Sequence, residues 1–204
     1  MVWTPDESLV GSAALTDFAR RVGHPGSYQE LWQWSVDDLE GFWQAVVDHF
    51  GVHFHAQPRS VLESRTMPGT RWFPGATLNY AEHLFAGKDP DELAIQHVSE
   101  LRELDAWSWR TLREETARIR AGLLARGIGE GDVVAAYLPN IPETVAAFLA
   151  TASIGAVWAS AAPEFGARAV VDRFAQLEPA LLLAVDGYRY RGKDFDRKWV
   201  IERR

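Results

Sequence analysis

The residues best suited to chemistry lie near the end of the chain, where "GYRYRGKDFDRKWVIERR" (187–204) sets seven Lys/Arg against three Asp/Glu. The whole chain carries a net charge of −7, which leaves the preceding residues near −11. A basic segment on an acidic body is a candidate anion site, because a phosphate responds to the local field more than to net charge. The competing reading is a solvated terminal tail. Elsewhere, "DHFGVHFH" (48–55) offers His49 and His53 at the i, i+4 spacing that suits a metal on one helix face. Gly51 between them ends the helix and spoils that geometry, so ordinary helix-end histidines and no metal site are expected. "SRTMPGTR" (64–71) has the Ser/Thr/Gly flavour of a phosphate loop, but it carries one glycine, no lysine and no preceding strand. It reads as a structural turn. Neither a G-x-x-x-x-G-K-[ST] loop nor a G-x-G-x-x-G turn is present, and no G-x-S-x-G elbow marks a nucleophile. No catalytic residue is assigned.

The elements that would position such residues follow from periodicity. "GDVVAAYLPN" (131–140) is an apolar run between turn residues, the pattern of a strand covered on both faces. Pro142 suits the first position of a helix, where a missing N–H costs nothing. Val145, Phe148, Leu149 and Ala152 then recur at helical spacing until Gly155, and Ala156–Ala159 opens another strand. Arg168–Leu177 reads as a second helix and Leu181–Val185 as a third buried strand. Short connections between strand, helix and strand imply right-handed crossovers and a parallel sheet. Upstream, "LAIQHV" and "LDAWSW" suggest an antiparallel pair, followed by a helix capped by Ser108 and ended by Gly127. Strands are therefore expected near 93–98, 104–108, 132–138, 156–160 and 181–185.

The first ninety residues differ. Residues 27–50 are aromatic and helical in pattern, with Ser35 and Asp38 resembling a capping box ahead of an apolar stripe, Leu39, Phe42, Trp43, Val46 and Val47. Residues 56–76 are rich in Pro and Gly and should be irregular, anchored by Trp72 and Phe73, with a short helix at 78–85. A domain boundary is placed in "GKDPDE" (87–92), dividing a mostly helical region 1–90 from an incomplete α/β domain 91–204.

Composition narrows the function class. The chain has 204 residues, 47% hydrophobic and 24% charged, as in an ordinary soluble globular protein. The absence of cysteine removes disulfides, thiolate-bound zinc and a thiol nucleophile. Its acidity argues against a nucleic-acid partner, and no apolar run is long enough to span a membrane. A cytoplasmic location is the default. Most of the nine tryptophans fall on apolar stripes or strand patterns, where core packing accounts for them.

The stretches "YQELWQWSVDDLEGFW", "RWFPGATLNYAEHLF", "IGEGDVVAAYLPNIPETVAAFLATASIGAVWA", "PEFG" and "VVDRFAQLEPALLLAVDGYRYRGKDF" together resemble the N-terminal portion of acyl-adenylate-forming acyl-CoA synthetases, close to acetyl-CoA synthetase. "WFPGATLNYAEHLF" and "DGYRYRGKDF" are similar to the acetoacetate branch of that family. The resemblance covers residues 25–198. It implies an AMP-binding α/β fold and an acetoacetate–CoA ligase reaction: ATP and acetoacetate give an acyl-adenylate and pyrophosphate, and coenzyme A then displaces AMP. ATP, Mg²⁺ and coenzyme A are the implied cofactors and substrates of the full-length enzyme, with none tightly bound to this chain. The family's phosphate loop, acyl pocket and catalytic lysine come later than the positions matched here, so the chain alone is expected to be inactive.

The resemblance also implies a coenzyme A-binding role for Arg189, Arg191, Gly192 and Lys193, which match the family's basic segment meeting the 3′-phosphate ADP end of that molecule. Arginine's planar fork suits phosphate oxygens and glycine lets the backbone approach them. Two departures stand out. Ala159, Ala161 and Ala162 occupy a turn that is more polar in the family, putting hydrogen bonding there in question. The ending "WVIERR" is unlike the residues after "GKDF" in that branch, which suggests a truncated or frameshifted reading frame. A non-catalytic protein-interaction module and a free-standing nucleotide-binding module are the rival readings.

Overall fold

A computed structural model describes residues 3–202. The chain divides into two compact units, one ending at Leu78 and the other beginning at Asn79. Among the described residues no helix is long and apolar enough to cross a membrane.

The first unit contains four helices, α1 (Glu7–Ser12), α2 (Ala14–Arg21), α3 (Tyr28–Asp37) and α4 (Leu39–Phe50). Phe18, Ala19 and Leu31 form its buried centre, with Trp34, Phe42 and Val46 packed around them. The capping box lies earlier than the spacing of Ser35 and Asp38 suggests. Ser27 accepts from the Glu30 N–H while the Glu30 carboxylate accepts from the Ser27 N–H, opening α3. Ser35 sits inside that helix and donates to the Trp32 carbonyl at 2.7 Å. Asp38 alone caps α4, accepting from the Gly41 N–H at 3.0 Å. The helix ends at Gly51 in the left-handed conformation, φ 59°. Residues 52–78 have no helix and only two isolated antiparallel bridges, Ala56–Thr77 and Leu62–Trp72.

In the second unit, α5 (Tyr80–Phe85) precedes an antiparallel pair, β1 (Leu93–Ser99) and β2 (Arg102–Ser108), and then α6 (Trp109–Leu124). Ser108 caps α6 as its position predicts, accepting from the Thr111 N–H. Next come β3 (Val133–Tyr137), α7 (Pro142–Ser153), β4 (Val157–Ala161), α8 (Ala167–Ala175) and β5 (Leu181–Ala184). The three strands are parallel in the order β4-β3-β5, with Ala135 opposite both Ala159 and Leu182. This is the α/β arrangement the apolar runs predict.

The central strand explains why its run lacks polar alternation. Val134, Ala135 and Ala136 are fully buried because helices cover both faces. Val134 packs with Leu123, Ile128 and Ala150, which come from α6, α7 and the turn before β3. Tyr137, three residues on and therefore on the opposite face, packs with Ala161, Val170 and Val200. The β3-α7-β4 and β4-α8-β5 crossovers run across the sheet in opposite directions, and right-handed connections of opposite direction put α7 and α8 on opposite faces, the doubly wound pattern.

The basic segment is not a free tail. It folds into a hairpin, β6 (Gly187–Tyr190) and β7 (Lys193–Asp196), followed by a short helix α9 (Lys198–Ile201) whose Val200 joins the core. Aromatic residues alternating with charged ones along the two strands supply one ring face to pack and one to leave wet.

Candidate functional site

The β6–β7 hairpin turns over two residues, Arg191 and Gly192, with φ of 52° and 72°. Positive φ at both central positions is the type I′ pattern, whose twist matches that of the flanking strands. Gly192 adopts it freely, whereas Arg191 carries the steric cost of a side chain there. Behind the turn, Tyr188 and Phe195 stack with ring centroids 5.0 Å apart. At the base, a Cβ on Gly187 would lie 2.7 Å from the Phe195 carbonyl oxygen, so only glycine lets the strands close.

Arg189, Arg191, Gly192 and Lys193 all fall on this hairpin, and all four are exposed. Their side chains do not converge. Arg189 pairs across the ladder with Asp194, and Tyr190 with Lys193, so alternation sends Arg189 and Lys193 to opposite faces. The Arg189 guanidinium grips Asp194 with two bonds, 2.6 Å from Nε and 2.9 Å from Nη2. That hydrogen bond holds the Asp194 carboxyl below its ordinary value. The Arg191 guanidinium lies over the Tyr190 ring, 5.3 Å from its centroid. Only the turn backbone is shared by both faces, and it is already engaged. The Arg191 and Gly192 N–H groups each donate to one carboxylate oxygen of Glu100, both at 2.6 Å. Arg203 and Arg204, at the end of the basic segment, lie outside the described residues.

The remaining sequence candidates stay apart from this hairpin. Residues 64–71 form bends with no flanking helix or strand. His49 ends α4 and packs edge-on against Phe18 and Phe50, while His53 and His55 lie beyond the helix with rings 5.7 Å apart. Among the described residues no group of three or more His, Cys, Asp or Glu is placed to hold a metal.

One constellation escapes sequence reasoning. The buried Tyr137 hydroxyl, at the C-terminal end of β3, reaches the Pro163 carbonyl at 2.6 Å and the Phe165 carbonyl at 2.9 Å. Arg197 donates from Nε to the same Pro163 carbonyl at 2.7 Å and from Nη2 to the Tyr188 hydroxyl at 3.1 Å. Its guanidinium also covers the Tyr188 and Phe195 rings. Ala159 and Ala161 lie within β4, and the turn that follows it is tied down through the backbone carbonyls of Pro163 and Phe165, while the same arginine anchors the hairpin. Burial pushes the Tyr137 phenol above its ordinary value, so it stays a donor. No motif announces these partners, since Tyr137, Pro163 and Arg197 are up to 60 residues apart in sequence.

A helical unit followed along the chain by a doubly wound parallel sheet, with a basic hairpin beyond its last strand, puts the protein in the α/β class. Comparison with known families agrees: residues 84–203 match the family described as AMP-binding enzyme, and residues 28–84 match the acetyl-coenzyme A synthetase N-terminus. The chain belongs to the AMP-binding enzyme family. Within it, the similarity is to acetoacetyl-CoA synthetases. The Rhizobium meliloti (strain 1021) acetoacetyl-coenzyme A synthetase is 38% identical over 97% of this chain, and the Xenopus tropicalis acetoacetyl-CoA synthetase 36% identical over 95%. The structure of acetoacetyl-CoA synthetase from Streptomyces lividans superposes with a TM-score of 0.94 over 98% of this chain at 48% identity. The chain spans only 30–32% of the length of each of these proteins.

Proposed function

We propose that this chain forms the N-terminal portion of an ATP-dependent acetoacetate–CoA ligase. The observation that carries this reading is the near-complete superposition on an acetoacetyl-CoA synthetase at 48% identity. Residues 1–90 act as the acetyl-CoA synthetase-type N-terminal region and residues 91–204 as the first part of the AMP-binding domain. In the complete reaction, acetoacetate attacks ATP to give an acyl-adenylate and pyrophosphate, and the coenzyme A thiol displaces AMP. All reactants are small soluble molecules, and a cytoplasmic location suits them. Nothing in the 204 residues resembles the Ser/Thr/Gly-rich lysine loop such a reaction needs for ATP phosphates and Mg²⁺. This chain's part is therefore scaffold and coenzyme A contact, with no catalytic group of its own.

For the contact we assign Arg189, Arg191, Gly192 and Lys193 to the 3′-phosphate ADP end of coenzyme A. Two guanidinium groups, an ammonium and two turn N–H groups within one hairpin support this assignment, because each is a donor to phosphate oxygen. Titration of coenzyme A into ¹⁵N-labelled chain should shift the hairpin amides with an affinity on the order of millimolar, as a few exposed charge contacts allow. Added salt should weaken binding, since exposed charges are screened over about 8 Å at physiological ionic strength. The triple variant Arg189→Ala/Arg191→Ala/Lys193→Ala should lose the response. Equal shifts in both proteins would return the segment to a purely structural role.

One observation favours the interaction-module reading. Tyr28, Trp32 and Val36 stand exposed at four-residue intervals along α3, a stripe that four-residue helical spacing aligns on one face. A chain that ignores coenzyme A altogether would give that reading precedence.

A further inference from the structure

We propose that the tip of the β6–β7 hairpin is an oxyanion site gated by Glu100, whose carboxylate occupies the site until a phosphate displaces it. The turn itself supplies the first reason. In a two-residue hairpin the ladder closes between the flanking residues, here Tyr190 and Lys193, and has no use for the N–H groups of the two turn residues. Those donors must find another acceptor or face water. Both are positioned by positive φ, and together they present a two-pronged backbone concavity of the kind that binds anions.

That this concavity takes an oxyanion is visible directly, because one is already there. The two Glu100 oxygens accept one N–H each at 2.6 Å, slightly shorter than the usual charge-assisted N–H···O bond. Glu100 is far from the turn in sequence and sits in the connection between β1 and β2, so this is a tertiary contact and not a local cap. Its side chain is exposed, which leaves it free to swing into water when a competitor arrives. A phosphate monoester dianion offers the same pair of acceptor oxygens with a greater charge. The neighbouring cations are tethered close by, Arg189 on Asp194 and Arg191 on Tyr190. The gate thus does two things. It satisfies the turn when no ligand is present, and it favours an oxyanion of greater charge over a single carboxylate.

This inference rests on the coenzyme A reading only for the identity of the natural phosphate; the gate itself is tested with inorganic phosphate. Amide shifts of Arg191 and Gly192 should be followed on titration with inorganic phosphate at constant ionic strength, in the full chain and in Glu100→Gln and Glu100→Ala. Removing the competing charge should tighten phosphate binding about tenfold in both variants. Unchanged affinity, weaker affinity in the variants, or no phosphate response at these two amides would each overturn the gate. Weaker binding would identify Glu100 as a brace. A parallel titration with coenzyme A separates the two ideas. Tighter phosphate binding without any coenzyme A response keeps the gate and removes the coenzyme A assignment. Equal coenzyme A and phosphate binding by wild type and variants keeps that assignment and removes the gate.

Discussion

At the residue scale, Tyr137 holds the turn after β4 through its backbone carbonyls. The single O–H of the buried hydroxyl is shared between the carbonyls of Pro163 and Phe165, and Arg197 adds a second donor to Pro163. Tyr137→Phe keeps the ring in the core but leaves the Phe165 carbonyl without that donor and Pro163 with Arg197 alone. Loss of a buried hydrogen bond costs about 1–2 kcal/mol, which lowers the melting midpoint of a chain this size by about 2–8 °C. Because burial raises the phenol's pKa, the destabilisation should be the same from about pH 6 to pH 9, below its ordinary titration. An unchanged midpoint in thermal denaturation would show that water replaces the hydroxyl and that the turn holds itself. The Glu143 carboxylate makes a milder case. Burial raises its pKa, but hydrogen bonds and attraction from Arg102 outweigh that and leave it below its ordinary value. Any stability it contributes is complete at neutral pH and is lost as pH falls through the folded-state value, and with both side chains well exposed that contribution is small.

At the element scale, the helical entrances of the first unit separate two residues that sequence spacing confuses. Ser35 and Asp38 have the interval of a capping box, yet Ser27 starts a helix that runs through Ser35. Asp38 is where the chain leaves helical geometry, at φ −116° and ψ 72°, before α4 begins. Asp38→Ala should therefore cost about 0.5–2 kcal/mol, whereas Ser35→Ala, which removes only a back-bond to Trp32, should stay within about 0.5 kcal/mol. Urea unfolding of the two variants decides between them. A larger loss at Ser35 would mean that the helix break falls earlier in solution.

At the scale of the whole molecule, the parallel sheet has a well-covered centre and two bare sides. β3 is buried on both faces, while among the described residues β4 and β5 each pair on one edge, and Val157 and Leu182 are left 46% and 43% exposed. The same fold in the Streptomyces lividans protein is part of a chain about three times as long. The proposed role as one portion of a ligase carries a direct expectation. Purified 204-residue chain, given ATP, acetoacetate and Mg²⁺, should release no pyrophosphate above the background of a boiled control. The reason is the missing lysine loop, so no point substitution should restore turnover. Acetoacetate-dependent AMP formation by the chain alone would sink this reading of its role.

Sequence by itself determined the strands and helices between residues 93 and 185 and their order, but not the β6–β7 hairpin or the helices α1 and α2. Apolar runs bounded by Gly and Pro marked β3, β4 and β5 to within a residue or two, and Pro142, Ser108 and Gly155 marked the helix ends, because these signals are local properties of backbone and side chain. The basic character of residues 187–204 was equally plain, as was the match of "WFPGATLNYAEHLF" and "DGYRYRGKDF" to one enzyme branch. Tertiary structure alone decided what those basic residues face. Strand alternation placed Arg189 and Lys193 on opposite sides of the hairpin, Asp194 neutralised one of them, and Glu100 arrived from a distant turn to fill the backbone site between them. Charge and turn chemistry are written along the chain, but which acceptor a donor meets depends on which segments the fold brings together, and no spacing rule encodes a contact across 91 residues.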